Sequence, residues 1–296
     1  MSEKTISLDG IEVLIEDSAC GPQAETLVMI HGWPDTYRIW DAQVEFFRPH
    51  FRCVRFTLPG FDIRQPRQGY SLAQLSEHIR RVIEQVSPQQ GNAGPPQGSL
   101  PPSGGGLGSP SLGGAHQPVT LMLHDWGCVF GFQALLRHPQ LVRRVVAIDV
   151  GDASSPEFLR SLSGKTKLMI ASYQLSLVAA WRLGGGLGDR LTRAMARALK
   201  CPADPQHIGA AMNYPYDMQW TGSFGGLKGQ MLPLKLPCPL FFAYGRKKPF
   251  MFHSQAWVEG LQAQAQHQVQ GFDCGHWVMR EQAQAFNQAA LRWLQA

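Results

Sequence analysis

The segment that most constrains the fold runs from an apolar stretch, Val119 to Met122, through Leu123–Gly127 (LHDWG) into a helix-like stretch, Val129 to Arg137. The pattern predicts a buried strand that turns sharply into a helix, with Asp125 at the apex of the turn. Such a turn pushes the apex side chain clear of the sheet, where the first amides of the helix point at its ligand. A carboxylate there favours an alkyl ester intermediate, as in epoxide opening or halide displacement. The alternative is that Asp125 only caps the helix.

Two further motifs flank this turn in the sequence. Met29–Pro34 (MIHGWP) follows a strand-like run and predicts a tight loop whose N–H groups form an oxyanion hole with the amide of Trp126. Asp273–Trp277 (DCGHW) presents His276 on a loop, where it can act as a general base on water. Alone, His276 would be read as structural. The order of the three motifs is that of an α/β-hydrolase.

The three motifs, with Leu58–Phe61 (LPGF), resemble the α/β-hydrolase-fold epoxide hydrolases and their relatives, the haloalkane dehalogenases. The resemblance covers about residues 4–296 apart from one insertion. It implies an α/β fold with a mainly parallel central sheet flanked by helices and an inserted helical cap. The implied hydrolase core is residues 1–153 and 233–296, and the implied cap is residues 154–232. No metal or organic cofactor is implied.

Strand and helix patterns alternate along the chain as this fold requires. The predicted strands are 5–8, 11–16, 26–30, 52–57, 119–123, 142–149, 238–244 and 267–270, and the predicted helices of the core include 39–47, 71–86 and 282–294. Residues 89–118 are dominated by Gly, Pro, Ser and Gln, which predicts a disordered loop, with a docking tail for another protein as the alternative.

Composition narrows the class of protein. A chain of 296 residues with 44% hydrophobic content can bury a large core. No apolar run approaches the ~18 residues that cross a bilayer, and the first residues show no signal-peptide pattern, so we expect no membrane span and a cytoplasmic protein. The six cysteines and ten histidines show no metal-ligand spacing. The net charge of +5 is scattered, which favours a solvated surface over nucleic-acid binding.

Tyrosines in the cap region extend the resemblance. In epoxide hydrolases two cap tyrosines donate hydrogen bonds to the epoxide oxygen, because ring opening builds charge on the leaving alkoxide. Tyr173 resembles the first of that pair and Tyr214 the second, with Tyr216 as the competing choice. The alternative is that these tyrosines only pack the cap.

The acid that orients the histidine departs from the family pattern. Its usual position, in the loop after the seventh strand, is occupied by Lys248, a cation that cannot accept the imidazole N–H. Asp149, at the end of the sixth strand, is the predicted substitute, and Asp152 is the second choice. The alternative is an incomplete triad with a greatly reduced rate.

The sequence therefore predicts that Asp125 attacks a small apolar epoxide, that Tyr173 and Tyr214 protonate its oxygen, and that His276, held by Asp149, activates water to release a vicinal diol. The amides of Trp33 and Trp126 are the predicted oxyanion hole. Substrate contacts are predicted from Trp33, Trp126, Tyr216 and Trp277. The alternatives are a haloalkane dehalogenase that uses the same nucleophile and a non-catalytic ligand-binding homologue.

Overall fold

The computed structural model describes residues 3–17, 21, 24–87 and 116–296. Within them, eight strands form one sheet in the order β1-β2-β4-β3-β5-β6-β7-β8. Their bounds are β1 (Lys4–Leu8), β2 (Ile11–Glu16), β3 (Thr26–Ile30), β4 (Arg52–Phe56), β5 (Val119–His124), β6 (Val142–Ile148), β7 (Leu240–Gly245) and β8 (Gln268–Phe272). β2 pairs antiparallel with β1 and β4, and the other pairs are parallel. The predicted α/β fold with a mainly parallel sheet is confirmed.

Helices cover both faces of this sheet. They are α1 (Asp41–Phe47), α2 (Leu72–Val86), α3 (Trp126–Arg137), α4 (Pro156–Ser161), α5 (Gly164–Leu183), α6 (Gly185–Ala198), α7 (Tyr214–Thr221), α8 (Gln255–Gln262), α9 (Val278–Glu281) and α10 (Ala283–Gln295). β3 and β5 are buried along their whole length, as parallel strands covered on both sides should be. One apolar layer includes Ile79 of α2 and Phe130 of α3, and the other includes Phe47 of α1 and Phe286 of α10.

Local sequence signals set where several elements begin. Ser71 caps α2, and the side chain of Gln74 accepts a hydrogen bond from the Ser71 amide in a capping box. The predicted strands match β1 to β8 within a few residues. In the part of the chain that the structure describes, no helix has the length and apolar content to span a bilayer.

Between β6 and β7 the chain forms α4 to α7, and no strand lies among these described residues. We call residues 156–225 the helical segment. α5 packs against both α6 and α7, and Asn213 and Tyr216 reach the loop after β3 through Trp33. The helical segment therefore lies over the carboxyl ends of the central strands. The division into a core and a cap at residues 154 and 232 stays a prediction, and most of the predicted disordered loop, residues 88–115, lies outside the described residues.

Candidate active site

Asp125 stands at the turn between β5 and α3. Its φ is 53° and its ψ is −123°, a left-handed backbone that costs a non-glycine residue about 1–3 kcal/mol. The carboxylate makes no capping hydrogen bond to α3. Instead Oδ1 accepts a hydrogen bond from the backbone N–H of Trp33 at 2.6 Å. The helix-cap alternative is therefore excluded by the geometry, and the side chain faces the loop after β3.

The loop after β3 is fixed by His31. The backbone N–H of Leu58 donates to His31 Nε2 at 2.9 Å, so Nδ1 carries the proton and donates to the carbonyl of Gly32 at 2.9 Å. Burial lowers the pKa of His31 to about 4, which keeps the ring neutral in this role. The His31 ring thus holds the loop after β3 against the loop after β4. The loop after β3 in turn presents the Trp33 N–H to Asp125.

Gly32 allows the loop to approach the nucleophile. A Cβ at this position would lie 2.4 Å from Asp125 Oδ1 and 2.4 Å from the backbone nitrogen of Trp126. Real Cβ atoms do not come that close, so only glycine fits. The backbone nitrogen of Trp126 therefore lies on the same side of this close approach as Asp125 Oδ1. Of the two amides predicted as an oxyanion hole, that of Trp33 donates to the carboxylate, and that of Trp126 contributes to the lowered pKa of Asp125.

His276 lies between two carboxylates. Its Nε2 is 3.4 Å from Asp125 Oδ2, and its Nδ1 hydrogen-bonds Asp149 Oδ2. Asp149 follows β6 with a φ of 73° and is fully buried. The second choice, Asp152, instead accepts hydrogen bonds from the amide of Ser254 at 2.7 Å and from the hydroxyl of Ser155 at 2.6 Å. The structure thus brings Asp125, His276 and Asp149 together and leaves Asp152 in a separate network.

Lys248 joins the same group from the loop after β7. Its ammonium hydrogen-bonds the other oxygen of Asp149, which also accepts from the backbone N–H of Gly245 at 2.9 Å. The Lys248 side chain is only 6% exposed. Both oxygens of Asp149 are therefore occupied, one by His276 and one by Lys248 with Gly245.

The charges in this group shift one another. Burial opposes ionisation of Asp125, but the hydrogen bond and charge of His276 outweigh it and hold the pKa of Asp125 below its ordinary value. Burial likewise opposes the charge on Asp149, and Lys248 and His276 together lower its pKa. Burial would lower the pKa of His276, yet Asp149 and Asp125 raise it to about 9. At neutral pH the resting site holds two carboxylates and an imidazolium.

Two tyrosines of the helical segment, Tyr173 and Tyr216, lie close to the aromatic side chains around Asp125. The ring centroids of Tyr173 and Tyr216 are 6.4 Å apart. Burial raises the pKa of Tyr216, and the negative charge of Asp125 raises it further. The side-chain amide of Gln174 donates to the Tyr173 hydroxyl at 3.0 Å. The indole of Trp126 packs edge-on to the ring of Tyr216, with 5.3 Å between the ring centroids. The Tyr173 oxygen thus accepts a hydrogen bond, and its own proton is available for donation elsewhere.

Tyr214 does not take the predicted position. Its hydroxyl donates to the carbonyl of Pro59 at 2.9 Å, and its ring is completely buried against Phe61 and Trp181. The prediction that Tyr214 faces Asp125 is wrong, because the start of α7 turns this residue toward the loop after β4. Tyr216, the competing choice, faces the nucleophile instead.

The tryptophans of the site are held by polar partners that sequence analysis missed. The indole of Trp33 donates to Asn213 Oδ1 at 2.7 Å, and the indole of Trp277 donates to Asp35 Oδ2 at 2.9 Å. Trp277 is 4% exposed and packs against the ring of His276, so it supports the histidine from behind. A signal for Asp35 was its place directly after the His-Gly-Trp-Pro motif, whereas nothing in the sequence pointed to Asn213.

Among the described residues, no group of three or more His, Cys, Asp or Glu side chains is arranged to hold a metal ion. The groups that the site offers for chemistry are a carboxylate, an imidazolium, two phenols and two amides. They are suited to attack by Asp125 and to later activation of water by His276.

The chain matches the model of the alpha/beta hydrolase family over residues 27–289, and it belongs to this family. An epoxide hydrolase, srdG, of Neurospora crassa is 30% identical over 136 residues, which are 44% of this chain and 32% of that protein. The cis-3-alkyl-4-alkyloxetan-2-one decarboxylase of Xanthomonas campestris pv. campestris is 24% identical over 300 residues, covering 88% of this chain and 85% of that protein. The first curated relatives are longer proteins, of which the matches span 22 to 32%.

A solved structure gives the same result for the fold. A variant of an epoxide hydrolase from Bacillus megaterium, bound to its diol product, has a TM-score of 0.68 at 18% identity and covers 99% of this chain and 100% of that chain. Epoxide hydrolases thus occur among both the curated relatives and the structural neighbours, and the resemblance read from the motifs is confirmed.

Proposed function

We propose that this protein hydrolyses a small apolar epoxide to a vicinal diol through an ester on Asp125. The observation that carries this proposal is the position of Asp125. One of its oxygens is bound by the Trp33 amide, and the other lies 3.4 Å from His276 Nε2. The ring of Tyr216 packs against Trp33 and Trp126, on either side of this carboxylate, and against Tyr173. A nucleophile, a base and two proton donors are the groups that this reaction needs.

In the first step, Asp125 Oδ2 attacks a ring carbon of the epoxide and the ring C–O bond breaks. The leaving oxygen takes a proton from Tyr173 or Tyr216, and the hydrogen bond that Gln174 donates to the Tyr173 oxygen does not use the Tyr173 proton. The lowered pKa of Asp125 keeps the nucleophile ionised over the whole neutral range. This step leaves a hydroxyalkyl ester on Asp125 and a tyrosinate, which regains its proton from solvent before the second step.

In the second step, His276 takes a proton from water as the water oxygen attacks the ester carbonyl carbon. The amides of Trp33 and Trp126 donate to the developing oxyanion. Collapse of the tetrahedral intermediate expels the diol and restores Asp125, which now carries one oxygen from water. The surrounding Trp33, Trp126 and Trp277 are uncharged and buried, which favours an apolar substrate.

Styrene oxide and intact-protein mass spectrometry test the proposal. The His276→Gln variant should gain the mass of one styrene oxide, because the ester forms but water is not activated, and Asp125→Ala should gain nothing. Wild type should release the diol. An unmodified His276→Gln protein together with a wild type that forms no diol would overturn the proposal and favour the non-catalytic homologue.

Halide displacement is less well supported by the same contacts. It needs two free N–H donors at the leaving group, but the indole of Trp33 donates to Asn213, which leaves the indole of Trp126 without Trp33 as the second donor. Release of halide from a haloalkane, with no diol from styrene oxide, would select a dehalogenase instead.

A strained lactone is a second candidate substrate, because the Xanthomonas relative that matches over 88% of this chain is a decarboxylase of cis-3-alkyl-4-alkyloxetan-2-ones. Such a ring offers an sp3 carbon next to a leaving oxygen, as an epoxide does. Incubation with a cis-3,4-dialkyl-oxetan-2-one distinguishes the two, since decarboxylation releases carbon dioxide and an alkene whereas epoxide hydrolysis releases only a diol.

A further inference from the structure

Lys248 replaces the acid expected at its position, and its ammonium is buried against Asp149. The side chain is 6% exposed and Asp149 is not exposed at all. A buried ion pair of this kind costs desolvation of both groups, so stability alone gives little reason to keep it. Its location is informative, because the same carboxylate holds the imidazole of His276.

The charge count of the site changes during the proposed reaction. In the resting site, Asp125 and Asp149 carry two negative charges, and His276 and Lys248 carry two positive charges, so the group is neutral. Esterification removes the charge of Asp125. If His276 kept its proton, the buried group would then carry one excess positive charge, which a low-dielectric environment disfavours.

We propose that Lys248 is a positioning residue that neutralises Asp149, so that His276 gives its proton to solvent once Asp125 is esterified and becomes the base for the second step. This inference rests on the proposed function. Without Lys248, the esterified site would hold the negative charge of Asp149 and the positive charge of the His276 imidazolium, which cancel. The imidazole would therefore stay protonated. The proton that leaves His276 is replaced by the one that it takes from water.

Other titratable side chains near His276 do not supply this charge. The ring of His124 is 4.5 Å from His276, and burial lowers its pKa to about 3, so it is neutral. His253 feels the charges of Lys248 and Asp149, and burial lowers its pKa to about 4. Burial raises the pKa of Asp35 to about 7, and Asp35 Oδ2 accepts a hydrogen bond from the Trp277 indole. An acid of this kind supplies no positive charge. Apart from the His276 imidazolium itself, Lys248 is the cation that contacts Asp149 among the described residues.

The test compares Lys248→Met with Lys247→Met in single turnovers of styrene oxide across pH 6 to 10. Lys247 is exposed on the same loop and makes no hydrogen bond or ion pair to Asp149 among the described contacts, so its variant removes the same charge without touching the triad. We expect Lys248→Met to form the ester at the wild-type rate. Its decay should need a pH about one to two units higher than in wild type, so that the ester accumulates at pH 7 and is hydrolysed normally near pH 9.

Three results would contradict the role of Lys248. One is a decay profile in Lys248→Met that coincides with wild type, another is an equal loss of rate at every pH, and the third is the same shift in Lys247→Met. Lys248→Gln keeps an N–H donor without a charge and should show the same shift if Lys248→Met does not fold. If wild type itself forms neither ester nor diol, the proposed function fails, and that outcome is distinct from coincident profiles in an active enzyme.

Discussion

The ring of Tyr216 lies edge-on to the indole of Trp126, with 5.3 Å between the ring centroids. Trp126 is the residue after the nucleophile, so this contact ties a tyrosine of the helical segment directly to the nucleophile turn.

Replacement of this tyrosine should affect the first step of the reaction. We expect Tyr216→Phe and Tyr173→Phe each to slow ester formation by about 10²-fold, because each removes one proton donor to the epoxide oxygen. Tyr214→Phe serves as the matched control. Its hydroxyl contacts only the Pro59 carbonyl in the described structure, so ester formation should keep its rate within a few-fold. Rapid-quench mass spectrometry measures the step, and a larger loss in Tyr214→Phe than in Tyr216→Phe would contradict the arrangement.

Gln174 should set the direction of the Tyr173 proton. Its amide donates to the Tyr173 oxygen, and its own oxygen accepts from the Trp220 indole at 2.8 Å. Gln174→Met keeps the volume and removes these contacts, so we expect ester formation to slow by about tenfold, while ester decay, which uses His276, stays unchanged. Ser172→Ala, on the exposed side of the same helix, should change neither rate. Equal slowing of both steps in Gln174→Met would argue for a general loss of structure.

Gly32→Ala should lower kcat by about 10²–10³. The added Cβ would overlap Asp125 Oδ1 and the Trp126 nitrogen, each 2.4 Å away, so the loop must withdraw its N–H from the carboxylate. Loss of one oxyanion donor costs about 10²–10³ in kcat. Gly260→Ala is the control, because nothing lies within 4 Å of its added Cβ in the middle of α8. It should leave activity intact and stabilise the fold by about 0.4–1 kcal/mol, which thermal melting measures.

The raised pKa of Asp35 predicts how the free energy of unfolding depends on pH. Burial raises its folded pKa from an ordinary 3.8 to about 7, so the folded state prefers the protonated form. The stability that Asp35 contributes to the folded state is fully present below pH 3.8 and is lost as the pH rises through about 7. Asp35→Asn keeps an acceptor for Trp277 and stays neutral. We therefore expect the variant to gain stability over wild type between pH 5 and pH 8, by roughly 1–4 kcal/mol. Urea unfolding at both pH values checks this, and a constant difference would contradict it.

The sequence predicted those parts of the site that local patterns determine. Asp125 follows a buried strand and precedes a helix, and both elements can be read from neighbouring residues. The position of Asp149 at the end of β6 also predicted its contact with His276, since parallel strands present their carboxyl ends at one edge of the sheet. Contacts such as Trp33 with Asn213 join residues 180 positions apart and depend on packing that no local pattern encodes.

The error at Tyr214 has a geometric reason. Tyr214 is the first residue of α7, and a 3-10 turn, Ala210–Asn213, precedes it. Residues that are two positions apart on a helix are rotated by about 200° about its axis, so Tyr214 and Tyr216 point to nearly opposite sides of α7. The sequence predicts that one of them faces Asp125, but the rotation of α7 about its axis is set by its packing on α5.

The hydrogen bond between the Trp33 indole and Asn213 joins the loop after β3 to the helical segment. The backbone of Trp33 contacts the reacting carboxylate, and its side chain is bound to the helical segment that covers it. Any outward swing of that segment that admits a ligand must either break this bond or draw the amide donor with it. Admission of a ligand and readiness of the oxyanion donor are therefore mechanically linked through one residue.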